Sequence, residues 1–125
     1  LNKILKKIKL LHNIYIKHKY FIKKNSYSME GEDLILKEIF RDSLNGIYVD
    51  AGCYHPLHLS NTYLLYKKGW RGINIDLSEY TIDLFNHLRP ADLNVNAAVT
   101  NYDGKIKFFY QKELSQLTSV KRDIA

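Results

Sequence analysis

Cysteine occurs once in the 125 residues, proline twice and glycine six times, and each scarcity closes off a class of protein. Cys53 alone cannot form an internal disulfide, so the chain is no disulfide-stapled scaffold and suits a reducing, cytoplasmic setting. His55 and His58 are spaced as metal ligands can be, but no second pair or cysteine set accompanies them, and no metal is expected. Glycine is too sparse for a dinucleotide fingerprint: Cys53, Tyr54, His55 and Pro56 follow Gly52, and the next glycine is Gly69. The Gly-Lys-Ser/Thr of a P-loop is also missing. In the first 24 residues a lysine or histidine interrupts every apolar run within a few positions. That excludes a signal-peptide core, and nothing approaches the roughly 20 apolar residues of a membrane span. Repeats and low-complexity tracts are absent.

Acids are missing from one end only. Residues 1–24 contain eight lysines and no Asp or Glu, so they carry +8 of a chain whose net charge is +6, and the remainder is −2. The length suffices for one domain and not two. The sequence therefore divides into a basic arm, residues 1–25, and a nearly neutral domain, residues 26–125. Leu1, Ile4, Leu5, Ile8, Leu11 and Tyr15 recur at helical spacing, and the arm reads as a basic amphipathic helix. Such a helix suits an anionic partner, a membrane surface or nucleic acid. Nucleic acid is disfavoured, because no arginine fork or aromatic stacking cluster marks it. The plainer alternative is a solvated helix whose apolar stripe packs on the domain or on an absent segment. His12, His18 and His87 read as surface residues.

What is present in the domain is an alternation of strand and helix signals. A helix is expected over 32–43, a short apolar strand over 47–50 buried on both faces, and a helix over 60–68 capped by Ser60 and stopped by Gly69. A second strand over 72–76, a helix over 79–88 ended by Pro90, and a third strand over 93–99 follow. A fourth strand over 105–110 pairs antiparallel after the turn at 102–104. The β-α-β-α-β order implies an α/β fold with a doubly wound, mostly parallel sheet.

The chemistry concentrates where two strands end. Gly46 to Pro56 (GIYVDAGCYHP) closes an apolar strand with Asp50 and Gly52, and Gly72 to Asp76 (GINID) closes the next with an acid. Parallel α/β sheets bind nucleoside-bearing ligands at the carboxyl ends of their strands. Gly52 admits close approach of backbone to a ligand. Asp76 offers the paired acceptors that suit the vicinal diol of a ribose. The loop after Gly52 is too bulky and too poor in free N–H groups for a pyrophosphate, so a cofactor without phosphates fits better, and S-adenosylmethionine is the obvious one. Cys53 has no identifiable activating base and reads as a small buried filler.

Three stretches, SYSMEGEDLILKEIF (26–40), GIYVDAGCYHPLHLSNTYLLYKKGWRGINID (46–76) and LNVNAAVTNYDGKIKFFY (93–110), resemble the FkbM family of S-adenosylmethionine-dependent methyltransferases. The likeness covers residues 26–110 and rests on the combination of GED, D-x-G, SNT and GWRGINID. It implies a Rossmann-like methyltransferase fold and a cofactor held by Asp50 and Gly52 under its methionine part. Asp76 is then expected at the ribose, Asn96 and Ala97 beside the adenine, and Glu32 and Ser60 near the amino acid end. It further implies O-methylation of a small-molecule or glycan hydroxyl. Two departures stand out. Leu77-Ser78-Glu79 replaces the family's usual proline or small residue after Asp76. The strand reading like LKIDVEG that follows in the family has no counterpart here, so the C-terminal strands are missing. Starting at Leu1 rather than Met and stopping at Ala125, the chain reads as a fragment, the cofactor half of an enzyme and inactive alone. Two rivals remain: a nucleotide- or NAD-binding Rossmann protein, and a non-catalytic remnant that binds an anionic surface through its arm.

Overall fold

The computed structural model describes residues 1–101 and 103; the strand expected over 105–110 lies outside them. The elements are α1 (Asn2–Leu11), a π-helical segment (His12–Lys17), α2 (Glu32–Ile39), β1 (Ile47–Ala51), α3 (Tyr63–Lys68), β2 (Arg71–Asp76), α4 (Glu79–Leu88) and β3 (Leu93–Asn96). The three strands form one sheet in the order β1-β2-β3, parallel throughout. This is mixed α/β architecture with a small parallel sheet, and among the described residues β1 is an edge.

Two helices are shorter than their sequence signals, because side chains elsewhere claim their ends. α2 stops at Ile39 rather than 43: the Phe40 ring tilts onto Trp70 at 5.1 Å, and the Trp70 indole N–H donates to the Ser43 carbonyl at 2.8 Å. Lys68 donates to the Phe40 carbonyl. α3 starts at Tyr63 rather than 60, because the Ser60 hydroxyl accepts from the Thr62 and Tyr63 N–H groups (3.3 and 3.1 Å) in a turn ahead of the helix. Gly69 does end α3, in the left-handed region at φ 116° that glycine adopts without strain. β3 ends at Asn96, three residues before the expected limit.

The register places Tyr48, Asp50, Asn74, Asp76, Asn94 and Asn96 on one face and Ile47, Val49, Ile73, Ile75, Leu93 and Val95 on the other. The helices cover the first. Tyr48 packs with Leu65, Trp70, Leu36 and Phe40, and Asn94 bonds Asn86 of α4. The second face is apolar yet uncovered among the described residues. Ile47 is 81% and Val49 64% exposed, so β1 is not buried on both faces as its apolar run suggests. Doubly wound packing is therefore present on one side only among the described residues.

Beneath the covered face lies Arg89, fully buried. Its Nε and Nη2 donate to the Pro56 carbonyl (3.2 and 2.7 Å), Nη2 also to Ser60 Oγ (2.7 Å) and Nη1 to Thr62 Oγ1 (2.6 Å). Asp92 lies 3.8 Å from Nη1 and also accepts from Tyr48, Gly72 N–H and Asn74.

The arm docks on the domain through only part of its apolar surface. Leu10 and Ile14 pack on Leu84 of α4, with Leu11 and Tyr15 beside them. Leu1, Ile4, Leu5 and Ile8 face water, so most of the stripe expected to dock is bare. His18 and His87 are not simple surface residues. His18 stacks on His58 at 4.3 Å and meets His55 at 4.6 Å, and His87 lies within hydrogen-bond distance of Tyr15 Oη and Lys7 Nζ. No described helix is long and apolar enough to cross a membrane.

Candidate functional site

A cleft of about 510 Å³ opens at the carboxyl ends of β1 and β2. Its walls come from four chain segments: Met29 and Glu32 around the start of α2, five residues from the end of β1 and the loop after it (Ala51, Gly52, Tyr54, Leu59 and Asn61), Ile75 to Leu77 at the end of β2, and Ala97 to Thr100 after β3. The carboxyl ends of the strands are where open parallel α/β sheets bind their ligands.

The floor is the loop after β1. Gly52 has φ +74°, and a Cβ built there meets nothing within 4 Å, so a larger residue would suffer the backbone strain and project into open space. Tyr54 and Leu59 also have positive φ, at 63° and 53°. Left-handed backbone at two non-glycine cleft residues persists only where surrounding bonds dictate it. Those bonds are visible. Gly52 and Cys53 donate to the Ile75 carbonyl (2.7 and 3.2 Å), Tyr54 N–H to Asp76 Oδ2 (3.0 Å), and His55 N–H to the Cys53 carbonyl (2.7 Å). Leu57 and His58 donate to His55 Nδ1 (3.0 and 2.9 Å), and Thr81 Oγ1 donates to the Tyr54 carbonyl (2.7 Å). Every backbone N–H from Gly52 to His58 is thus already given away within the protein.

Asp76 sits at the centre. Each of its oxygens takes one backbone N–H, from Tyr54 and from Ser78 (2.9 Å), which fixes the carboxylate and leaves each oxygen further acceptor capacity. Glu32 lines the same cleft. N–H groups of Glu32 itself and of Glu30 hold its carboxyl below the usual range. Its neighbour Asp33 turns inward. Burial pushes the Asp33 carboxyl up, but donation from Ser26 Oγ (2.6 Å), Tyr27 N–H (2.7 Å) and Ser28 Oγ (2.8 Å) outweighs this and lowers it. In the GED segment the aspartate therefore organises the turn and the glutamate faces the cleft.

Of the residues singled out in the sequence, Glu32, Gly52, Asp76 and Ala97 line this one cleft. Asp50 does not. Burial raises its carboxyl, and neighbouring Asp76 adds to this, while Arg89 and Thr62 oppose it. Ser60 is 1% exposed and bonded to Arg89, so it holds the loop from below. Asn96 forms a rim brace, donating to the Asp76 and Leu77 carbonyls (3.1 and 2.9 Å). Cys53 is buried against Ile82 and Phe85, and burial, then Asp76 and Asp50, push its thiol far up. Sequence reasoning missed Arg89. A basic residue after a helix reads as a partner for the helix dipole, and nothing in its spacing shows that four acceptors await it.

Among the described residues, no lysine, arginine or histidine lines the cleft. With two carboxylates and no spare N–H from Gly52 to His58, this part of its wall favours a cation and a diol over phosphate. No family model, curated protein or solved structure matches the chain.

Proposed function

We propose that the chain is the cofactor-binding part of an S-adenosylmethionine-dependent methyltransferase acting on a hydroxyl of a small molecule or glycan. The observation that carries this reading is the cleft at the strand ends, lined by Asp76, Glu32 and Gly52 and, among the described residues, by no cationic side chain. S-Adenosylmethionine has no phosphate, a ribose diol, and a sulfonium and an ammonium that outweigh its one carboxylate, and the acidic and apolar lining suits its diol and its net positive charge. Asp76 would accept the ribose hydroxyls, Glu32 would face the cationic end, and the Ala97–Thr100 segment would flank the base. When bound, the cofactor supplies a methyl group activated on sulfonium. The residues of this chain hold and orient it, and orientation alone can lower a barrier by about 7–11 kcal/mol in favourable cases. The hydroxyl acceptor and the FkbM relationship rest on the sequence resemblance.

Titration calorimetry of the whole chain tests the reading. S-Adenosylhomocysteine should bind, NADH should not, and Asp76→Ala should weaken the former by about tenfold or more, the worth of a charge-assisted hydrogen-bond pair. Tight NADH binding with no response to S-adenosylhomocysteine would overturn it.

A further inference from the structure

We propose that residues 1–24 form a docking surface for an anionic lipid bilayer, with α1 lying in the plane of the membrane interface. The inference starts from the way α1 sits on the domain. At 3.6 residues per turn, Leu1, Ile4, Leu5 and Ile8 share an arc of about 100°, and Leu10 lies about 170° from its middle. Leu10 is the residue that docks on Leu84. Lys3, Lys6 and Lys7 instead flank a shallow groove with Asp83, Asn86 and His87 of α4, and Lys9 lies over the Tyr80 ring at 4.9 Å. The helix thus turns its lysine-rich side toward the domain and its apolar stripe toward solvent, the reverse of what burial of a stripe requires.

The stripe is well exposed, from 54% at Leu5 to 89% at Leu1, and further exposed apolar groups follow at Ile16, Phe21 and Ile22. All eight lysines of the arm are exposed, and no acid interrupts them before Glu30. Burial of an apolar stripe together with attraction of surrounding lysines to anionic headgroups is the combination that holds amphipathic helices at a bilayer surface. Two other occupants fit less well. A second copy would bring two arms of +8 together at close range. A nucleic acid would satisfy the lysines but leave Leu1, Ile4, Leu5 and Ile8 in water, since its phosphates offer nothing to an aliphatic row.

Co-sedimentation of the whole chain with vesicles is the test. The probe is phosphatidylcholine and phosphatidylglycerol in about a three-to-one ratio, with phosphatidylcholine alone as the neutral comparison. Partitioning should be at least about tenfold greater on the anionic vesicles and should fall as salt is raised. The double variant Ile4→Asp/Ile8→Asp, at two positions that touch no core, should cut anionic binding about tenfold while leaving the melting temperature unchanged. Any of four results would refute the surface. These are no anionic binding at low salt, full binding by the double variant, tighter binding to duplex DNA at equal salt, or a dimer that the double variant abolishes without any vesicle binding.

Discussion

Arg89 is a charge without water, and everything around it is arranged to answer that. Its fork reaches Pro56, Ser60 and Thr62 on one loop and lies beside Asp92. Removing one partner of such a set leaves the others buried and unpaired. Arg89→Ala should therefore cost about 3–5 kcal/mol in urea unfolding, and Arg89→Lys should recover only part, since an ammonium cannot span the same acceptors. The histidines show the opposite logic, a group held neutral. His55 Nδ1 accepts two N–H groups, so its Nε2 carries the proton and donates to Asn13 Oδ1 at 2.7 Å. Burial, then the charges His18, His58, Arg89 and Lys17 would face it with, lower His55 from 6.5 to about 2. Burial, then His58, Lys17 and Lys24, lower His18 to about 4. Both pKa values are depressed on folding, so the unfolded chain binds more protons and stability rises with pH. It should be fully present above about pH 6.5 and decline as pH falls, toward 4 for His18 and further for His55, at up to about 1.4 kcal/mol per pH unit for the latter. Denaturant midpoints across that window check it, and His18→Gln should flatten the slope.

At the scale of elements, what was legible in the sequence was local and what was not was tertiary. α4 occupies Glu79–Leu88 as its apolar spacing and Pro90 imply, and its start is fixed by Ser78, whose Oγ accepts from Thr81 N–H at 3.2 Å. Ser78→Ala should accordingly lower stability by about 1 kcal/mol in thermal unfolding, the usual worth of such a cap. The strand ends carrying Asp50, Gly52 and Asp76 were visible too, because an apolar run closed by an acid needs no knowledge of its neighbours. The losses came where a distant side chain decided the matter. Trp70 and Lys68 bond the chain just past α2 at Ser43 and Phe40, Ser60 holds a turn ahead of α3 while also accepting from Arg89, and the first turns of the arm expose their stripe with lysines toward α4. Of the seven residues marked for the cofactor, the three that do not line the cleft are those whose polar groups the fold has already used or buried.

For the molecule as a whole, the decisive feature is a sheet dressed on one side. Ile47, Val49 and Leu93 stand exposed on the other, and β1 ends the sheet with its outward backbone unpaired by any strand among the described residues. An open apolar edge invites pairing with another chain. The isolated chain should self-associate at micromolar concentration, and Ile47→Lys with Val49→Lys should shift it toward monomer in analytical ultracentrifugation. A sharp, concentration-independent melting transition of a monomer would contradict this. Trp70 gives the same molecule an unplanned optical property. It is the sole tryptophan, buried between Phe40, Tyr48 and Leu65 where α2, β1 and α3 converge, and absent from the cleft wall. Its emission will therefore report whether the three elements remain assembled. A ligand that fills the cleft without altering that junction should leave the tryptophan emission unchanged, and Tyr54 is the lining residue whose signal it would meet.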